Sequence, residues 1–324
     1  ADGVHLTQSS SNTLYNITAS SNRNSGIAFY SNSNSNEISS VNAIGNQHHG
    51  FFLQGSSKNE ITDVTASANK LDGIHLEKNS NYNVVKNSEF FSNERDGIGI
   101  SGSSHNTVSQ NAVFENTRRG ITLQSASDNT IVTNEVFNNT DSGIGLYFSS
   151  SNNLSYNEIL NNTRKGIYLD NSTLNLIDSN IVTGNRQDGL YAHHSDENTI
   201  KNNNLSLNSG SGAYFLNSTS NVIHDNVLQK NLGSGVFLNN ASSNILTSNN
   251  ASENKESGIY INSSTNNTVS DNSALLNQGS GIFLNNTFEN KVSSNIASEN
   301  QGSGIYLTNV ISDTIRGNTA ESNE

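Results

Sequence analysis

One glycine returns through this chain on a nearly fixed interval, and that return restricts the fold more than any other feature. With the glycine as position 1, the copies begin at Gly3, Gly26, Gly50, Gly73, Gly97, Gly120, Gly143, Gly166, Gly189, Gly212, Gly235, Gly258, Gly281 and Gly304. Eleven of the thirteen intervals are 23 residues and two are 24. Position 2 runs from Val4 to Ile305, position 4 from Leu6 to Leu307, position 12 from Leu14 to Ile315, and position 17 from Ala19 to Ala320; all are apolar. A disordered polar polymer has no cause to keep four apolar positions in phase over fourteen copies. A self-similar period of this length marks a repeat architecture.

Side chains alternate across a strand, so positions 2 and 4 face one way and position 3 the other. Each copy therefore predicts three short strands, near positions 2 to 5, 11 to 14 and 16 to 19, separated by polar corners. One copy cannot cover its own apolar stripe, whereas stacked copies can, with parallel strands at ~4.8 Å. Fourteen coils predict a rod on the order of 65 to 70 Å long. Composition agrees: only 31% of residues are hydrophobic, too few for a deep spherical core, and Pro, which cannot donate to a strand ladder, is absent. The expectation is an all-β, parallel β-solenoid of 14 coils forming a single domain over residues 1–324.

The corners are asparagine. Sixty of the 324 residues are Asn. Position 20 is Asn in every copy, including Asn116, Asn139, Asn162, Asn185, Asn208 and Asn231; position 10 is Asn in all but the last, which carries Asp313. Position 15 is Asn from Asn111 to Asn318, after Ile17, Val41, Val64 and Ser88 in the first four copies. Asn tolerates turn conformations, and a stacked amide can bond its equivalent one coil away. The corners are expected to form amide ladders.

The Gly-aliphatic-x-aliphatic strand, and strand starts such as Asn129-Thr130-Ile131 and Asn267-Thr268-Val269, resemble those of right-handed parallel β-helix repeat proteins. The likeness is to the NosD-like group and to the carbohydrate-binding and sugar-hydrolase group of archaeal and bacterial surface proteins, and it covers the whole chain. The resemblance implies the fold. It leaves function open, because such proteins include enzymes, adhesins and structural rods.

The enzymes it resembles work on an outer face with clustered Asp, Arg, Lys or His, and their local motifs are not found in this sequence. At position 13, Asp178, Lys201 and His224 fall in successive coils and give a candidate catalytic constellation; as a plain ladder of opposite charges they would contribute ~1 kcal/mol or less. Glu135 and Glu158 stack likewise at position 16. The pairs His48–His49 and His193–His194 invite a copper-binding reading, but neighbouring strand residues point to opposite faces, and no metal site or cofactor is expected. Position 3 is mixed through His5, Ala28, Phe52, His75, Gly99, Thr122 and Gly145, then continuously aromatic: Tyr168, Tyr191, Tyr214, Phe237, Tyr260, Phe283 and Tyr306. That strip, ~30 Å long, is expected either to stiffen the sheet or to contact glycans or another protein. Arg95, Arg118, Arg119, Arg164, Lys165 and Arg186 gather near positions 21 to 23 and would suit an acidic polymer or balance nearby acids.

The net charge of −12, spread thinly, argues against nucleic acid, and no apolar run approaches a bilayer span. N-x-S/T sequons at Asn16, Asn138, Asn161, Asn217, Asn240, Asn262 and Asn285 are candidate glycan acceptors in an extracellular or cell-surface setting. The first and last corners are in phase, which predicts a fragment of a longer rod or end-to-end or lateral self-association. These features together predict a non-catalytic extracellular solenoid of surface-layer, adhesin or filament type, with glycans as partners. The alternative is a polysaccharide lyase, epimerase or hydrolase centred on Asp178, Lys201 and His224.

Overall fold

A computed structural model describes residues 1–324. The chain is all-β, a right-handed parallel solenoid with about 23 residues per turn, and it divides into two compact units, Ala1–Thr163 and Arg164–Glu324, of seven coils each. No helix is long and apolar enough to cross a membrane.

In the first unit, the position 2 to 5 strands form a parallel sheet: Val4–Thr7, Ile27–Tyr30, Phe51–Gln54, Ile74–Glu77, Ile98–Ser101, Ile121–Gln124 and Ile144–Tyr147. Register follows the repeat, so Ile98 opposes Ile121 and Gly99 opposes Thr122. The second unit carries the equivalent series from Ile167–Asp170 to Ile305–Thr308. The four apolar positions point inward as their phase requires. In the coil of Gly97, Ile98, Ile100, Val108 and Val113 are all at most 1% exposed. Where the pattern weakens, volume is conserved locally: the coil with Ala213 at position 2 has Phe215 at position 4, which also pairs with the short Ala192.

The second sheet departs from three strands per coil in two places. In the first two coils the second and third strands fuse into Thr13–Ser20 and Glu37–Ile44, where Ile17 and Val41 stand at the corner position that later holds Asn. From the coil of Gly189 onward, the third segment is reduced to single bridges such as Asn204 with Val227. In alternate coils of this stretch a serine hydroxyl takes the backbone N–H of the next coil. Gln229 N donates to Ser206 Oγ at 3.0 Å and Leu275 N to Ser252 Oγ at 3.1 Å.

The ladders explain how a chain so rich in amides folds. Asn139 Oδ1 accepts both the backbone N–H and the Nδ2–H of Asn116 at 3.0 Å, while Asn139 Nδ2 donates to Asn162 Oδ1 and to Val113 O, each at 3.1 Å. The second unit repeats this, with Asn208 Nδ2 on Val182 O at 3.0 Å and Asn231 Nδ2 on Asn254 Oδ1 at 3.1 Å. Such a side chain must give and accept at once, which suits a buried amide and excludes Asp within the stack. Asp313 fills only the accepting half, taking the N–H of Asn290 at 2.8 Å. The residue before many of these asparagines adopts positive φ, as at Glu115 (54°) and Asn138 (55°), a conformation costing about 1–2 kcal/mol for ordinary side chains that the ladder bonds offset. Position 1 must be glycine because its own coil and the next pass too close: a Cβ at Gly120 would stand 2.2 Å from Val136 Cγ1 of the same coil and 2.8 Å from Gly143 O of the next.

Candidate functional site

The outward face of the first sheet in the first unit carries a trench. Position 3 runs His75, Gly99, Thr122, Gly145 across adjacent strands. Two glycines and a threonine set a low floor, and all three are buried although they face outward. Longer side chains from positions 23 and 5 of neighbouring coils rise around them.

At one end stand Asp72 and His75. His75 Nδ1 lies 2.7 Å from Asp72 Oδ2, and with the carboxylate as acceptor Nδ1 carries a proton, while Nε2 stands 3.8 Å from Glu77 Oε2. Asp72 is fixed from behind: its Oδ1 accepts the N–H of Asp96 at 3.0 Å and lies 3.7 Å from Arg95 Nε. Burial pushes the Asp72 carboxyl up, but the His75 hydrogen bond and the charges of His75, His49 and Arg95 outweigh it and hold it below its ordinary range. One coil back, His49 Nδ1 accepts the N–H of Asp72 at 3.2 Å and sits 3.5 Å from Asp72 Oδ2. Burial lowers His49 to about 4, with the Asp72 charge only partly opposing it, so this imidazole is neutral near pH 7 and the contact with Asp72 is not an ion pair. Asp96 is pushed up, first by burial and then by the charge of Asp72.

At the other end stand Arg119 and Tyr147. The guanidinium carbon lies 4.4 Å from the ring centroid of Tyr147, and Arg119 Nε is 3.5 Å from Asp141 Oδ2, an ion pair without a hydrogen bond. Arg119 Nε and Thr122 Oγ1 are buried polar atoms with no hydrogen-bond partner. Gly145 makes room for this pair, since a Cβ there would stand 2.9 Å from Tyr147 and 3.2 Å from Arg119. An Asp-bonded imidazole, a half-buried guanidinium and a phenol thus stand along one outward sheet face, a set suited to proton transfer beside an anionic group.

The residues singled out from sequence lie elsewhere. Asp178, Lys201 and His224 are in register on the outward face of the second sheet. Lys201 Nζ is 3.4 Å from Asp178 Oδ2, but His224 turns to Asp225 at 2.7 Å. Asp178 also accepts from Asn202 and Ser179 at 2.9 Å each, so it sits in a surface hydrogen-bond set. Glu135 and Glu158 pair in register and are exposed. The aromatic strip forms a stack from Tyr214 to Tyr306, with centroids 4.5 to 4.9 Å apart, so each inner ring covers its neighbours' faces and offers solvent its edge. Toward Tyr168 the rings tilt: Tyr191 stands at 86° to Tyr214, with Lys165 Nζ 4.6 Å from its centroid. Of the sequons, Asn16, Asn138 and Asn161 occupy exposed positive-φ corners. Asn262 and Asn285 lie in an amide ladder with Asn239, at 3.0 and 2.9 Å.

Sequence reasoning passed over the Asp72–His75 pair and its neighbour His49. The signal was an Asp at position 23 followed three residues later by a His at position 3, with a second His at position 23 of the coil before. His48–His49 read as a linear pair, whereas the fold separates them and delivers His49 alone to Asp72.

A family model for the right-handed beta helix region matches residues 2–158, 53–205, 142–275 and 196–324. No curated protein matches by sequence. Among solved structures, the chain is similar to the Azotobacter vinelandii mannuronan C-5 epimerase AlgE6 A-module, with 13% identity, TM-score 0.59, 96% of this chain and 90% of that one covered. It is also similar to the periplasmic alginate epimerase AlgG, with 15% identity, TM-score 0.62, and 87% and 76% covered. A third is the Siphovirus 9NA tailspike receptor binding domain, with 10% identity, TM-score 0.61, and 97% and 72% covered. The expectation of a non-catalytic chain is corrected by these likenesses, because the similar structures are mainly carbohydrate epimerases and hydrolases. At such identities they carry the fold; with the family match over its full length, this chain belongs to the right-handed β-helix family.

Proposed function

We propose that this chain is a polysaccharide-active enzyme that removes the proton beside a sugar carboxylate, the chemistry of an epimerase or lyase. The observation that carries the reading is the trench itself, where an Asp-oriented imidazole and a half-buried Arg119, whose Nε makes no hydrogen bond, flank a floor of Gly99, Thr122 and Gly145.

Arg119 pairs with the uronate carboxylate and stabilises the charge that develops on it when the adjacent carbon loses its proton. His75 Nε2 accepts that proton, and Asp72 stabilises the resulting imidazolium through Nδ1–H. The electron pair moves into the carboxylate-stabilised enediolate. Return of a proton to the opposite face, with the Tyr147 hydroxyl as donor, gives the epimer; expulsion of the glycosidic oxygen, protonated by the same group, gives an unsaturated end and a shorter chain. The substrate class agrees with the two epimerases of similar fold, named for mannuronan and alginate. A location outside the cytoplasm is part of the reading, AlgG being described as periplasmic.

The test is incubation with alginate, polymannuronate and pectate in deuterium oxide, followed by proton NMR of the polymer and ultraviolet absorbance of unsaturated ends. Deuterium at the carbon beside the carboxylate, or new unsaturation, is expected from the unmodified chain, with loss of at least 100-fold in His75→Gln. Absence of both signals across the panel sinks the proposal.

A further inference from the structure

We propose that His49, Asp72 and His75 form a binding site for one divalent transition-metal ion of the Zn2+ class. Capture of the ion stands on the geometry of these three side chains; only its consequence for turnover rests on the enzymatic reading above.

Each of the three offers one donor atom, and the three atoms lie within 4.8 Å of one another. Asp72 Oδ2 is 2.7 Å from His75 Nδ1 and 3.5 Å from His49 Nδ1. Tetrahedral ligands held about 2.0–2.1 Å from a zinc ion stand about 3.3–3.4 Å from each other, so the 3.5 Å pair fits as it stands and the others reach it by sub-ångström to about 1 Å side-chain shifts. Two imidazoles and a carboxylate are a donor set for Zn2+ and its first-row neighbours, whereas Ca2+ and Mg2+ ask for oxygen. To take the ion, His49 Nδ1 exchanges the Asp72 N–H for the metal and His75 Nδ1 gives up its proton; the other contacts already hold the side chains. The second carboxylate oxygen of Asp72 is occupied by the Asp96 N–H, which turns Oδ2 to the imidazoles. His49 is stacked on Phe52 at 5.2 Å and on His75 at 5.0 Å. Ligands held this way lose little freedom on binding.

The surrounding charges are mixed. Glu77 Oε2, 3.8 Å from His75 Nε2, and Asp96 favour a cation, and Arg95 opposes it. Elsewhere the molecule supplies a comparison: Asp2 and His5 repeat the Asp-x-x-His spacing at 2.9 Å, and Ser25 N–H bonds Asp2 Oδ1 as Asp96 N–H bonds Asp72 Oδ1, but only the Asp72 pair is joined by a third donor, His49. Binding through Nδ1 moves the His75 proton to Nε2. The nitrogen that serves as base then becomes a donor, so the ion is an inhibitor of proton abstraction.

The experiment titrates the folded chain with Co2+ at neutral pH, reading the visible d–d absorbance and calorimetric heat. One ion per chain is expected, with affinity at least 10-fold weaker in His75→Gln and in Asp72→Asn; the amide retains an acceptor for the Asp96 N–H. His193→Ala with His194→Ala should leave the affinity unchanged. In the unmodified chain, nitrogen-15 NMR of the eight histidines should show Zn2+ shifting His49 and His75 alone, a result independent of any variant's folding. No saturable Co2+ binding, affinity unchanged in His75→Gln, or shifts centred on His193 and His194 overturns the inference. Saturable binding in a chain that turns over no polymer upholds the metal site and removes the enzymatic reading; turnover that depends on His75 with no ion bound does the reverse.

Discussion

Gly99 opposes His75 across the first sheet, and a methyl group at Gly99 would stand 2.6 Å from His75 Nδ1 and 3.2 Å from Asp72 Oδ2. The glycine therefore keeps clear the space in which the imidazole and carboxylate meet. Gly99→Ala should leave the fold intact, because the atoms it meets end side chains rather than backbone, yet turn the imidazole off its carboxylate. Turnover is expected to fall at least 10-fold with the thermal midpoint nearly unchanged. Gly120→Ala, which meets backbone and a packed Val136, should instead destabilise the coil strongly, as thermal unfolding followed by circular dichroism would record.

Acid should loosen the first unit in a defined window. Burial holds His49 at about 4, below its ordinary 6.5, so between those values the unfolded chain binds more protons than the folded one. Stability is complete above pH 6.5 and falls as pH drops toward 4, by about 3 kcal/mol if the whole shift is realised. Asp72, held low by His75 and its other neighbours despite burial, adds loss in the same direction at lower pH, while the raised Asp96 opposes it there. His49→Asn, which keeps an acceptor near the Nδ1 position, should flatten the dependence between pH 6.5 and 5 in denaturation curves; an unaltered slope would assign the acid sensitivity to other groups.

Asn139 is bonded at every polar atom inside the stack. Asn139→Ala strips the Asn116 N–H of its acceptor and the Val113 carbonyl and Asn162 amide of a donor. A loss of about 2–4 kcal/mol is expected, read as faster amide hydrogen exchange in the coils of Gly97, Gly120 and Gly143. Exchange confined to the mutated coil would mean that the ladder transmits little between coils.

Tyr260 lies between Phe237 at 4.5 Å and Phe283 at 4.7 Å, with interplanar angles of 7° and 3°. Its faces are already covered, so Tyr260→Ala should cost stability, about 1–3 kcal/mol, while oligosaccharide affinity measured by calorimetry stays within twofold. A 10-fold loss of affinity in a fully folded variant would give the strip a glycan-contact role.

The phase of the apolar residues made the solenoid legible before any coordinates. Position 2 and position 4 must face one way wherever strands alternate, and Asn at position 20 in every copy leaves little but a ladder. Less legible was how far each strand runs. Ile17 and Val41 extend their strands through the corner, and Ser206 and Ser252 shorten theirs by drawing off backbone N–H groups; both effects depend on what the neighbouring coil presents.

By itself the sequence determined the period, the inward face and the corners, because these follow from local alternation and from identical residues meeting identical residues. Only the tertiary structure decided that an outward row of Gly99, Thr122 and Gly145 is buried, that His49 leaves His48 to meet Asp72, and that Arg119 Nε is buried beside Asp141 without a hydrogen bond. Those outcomes depend on the heights of side chains from adjoining coils and on the desolvation they impose, quantities that no spacing within a single copy contains.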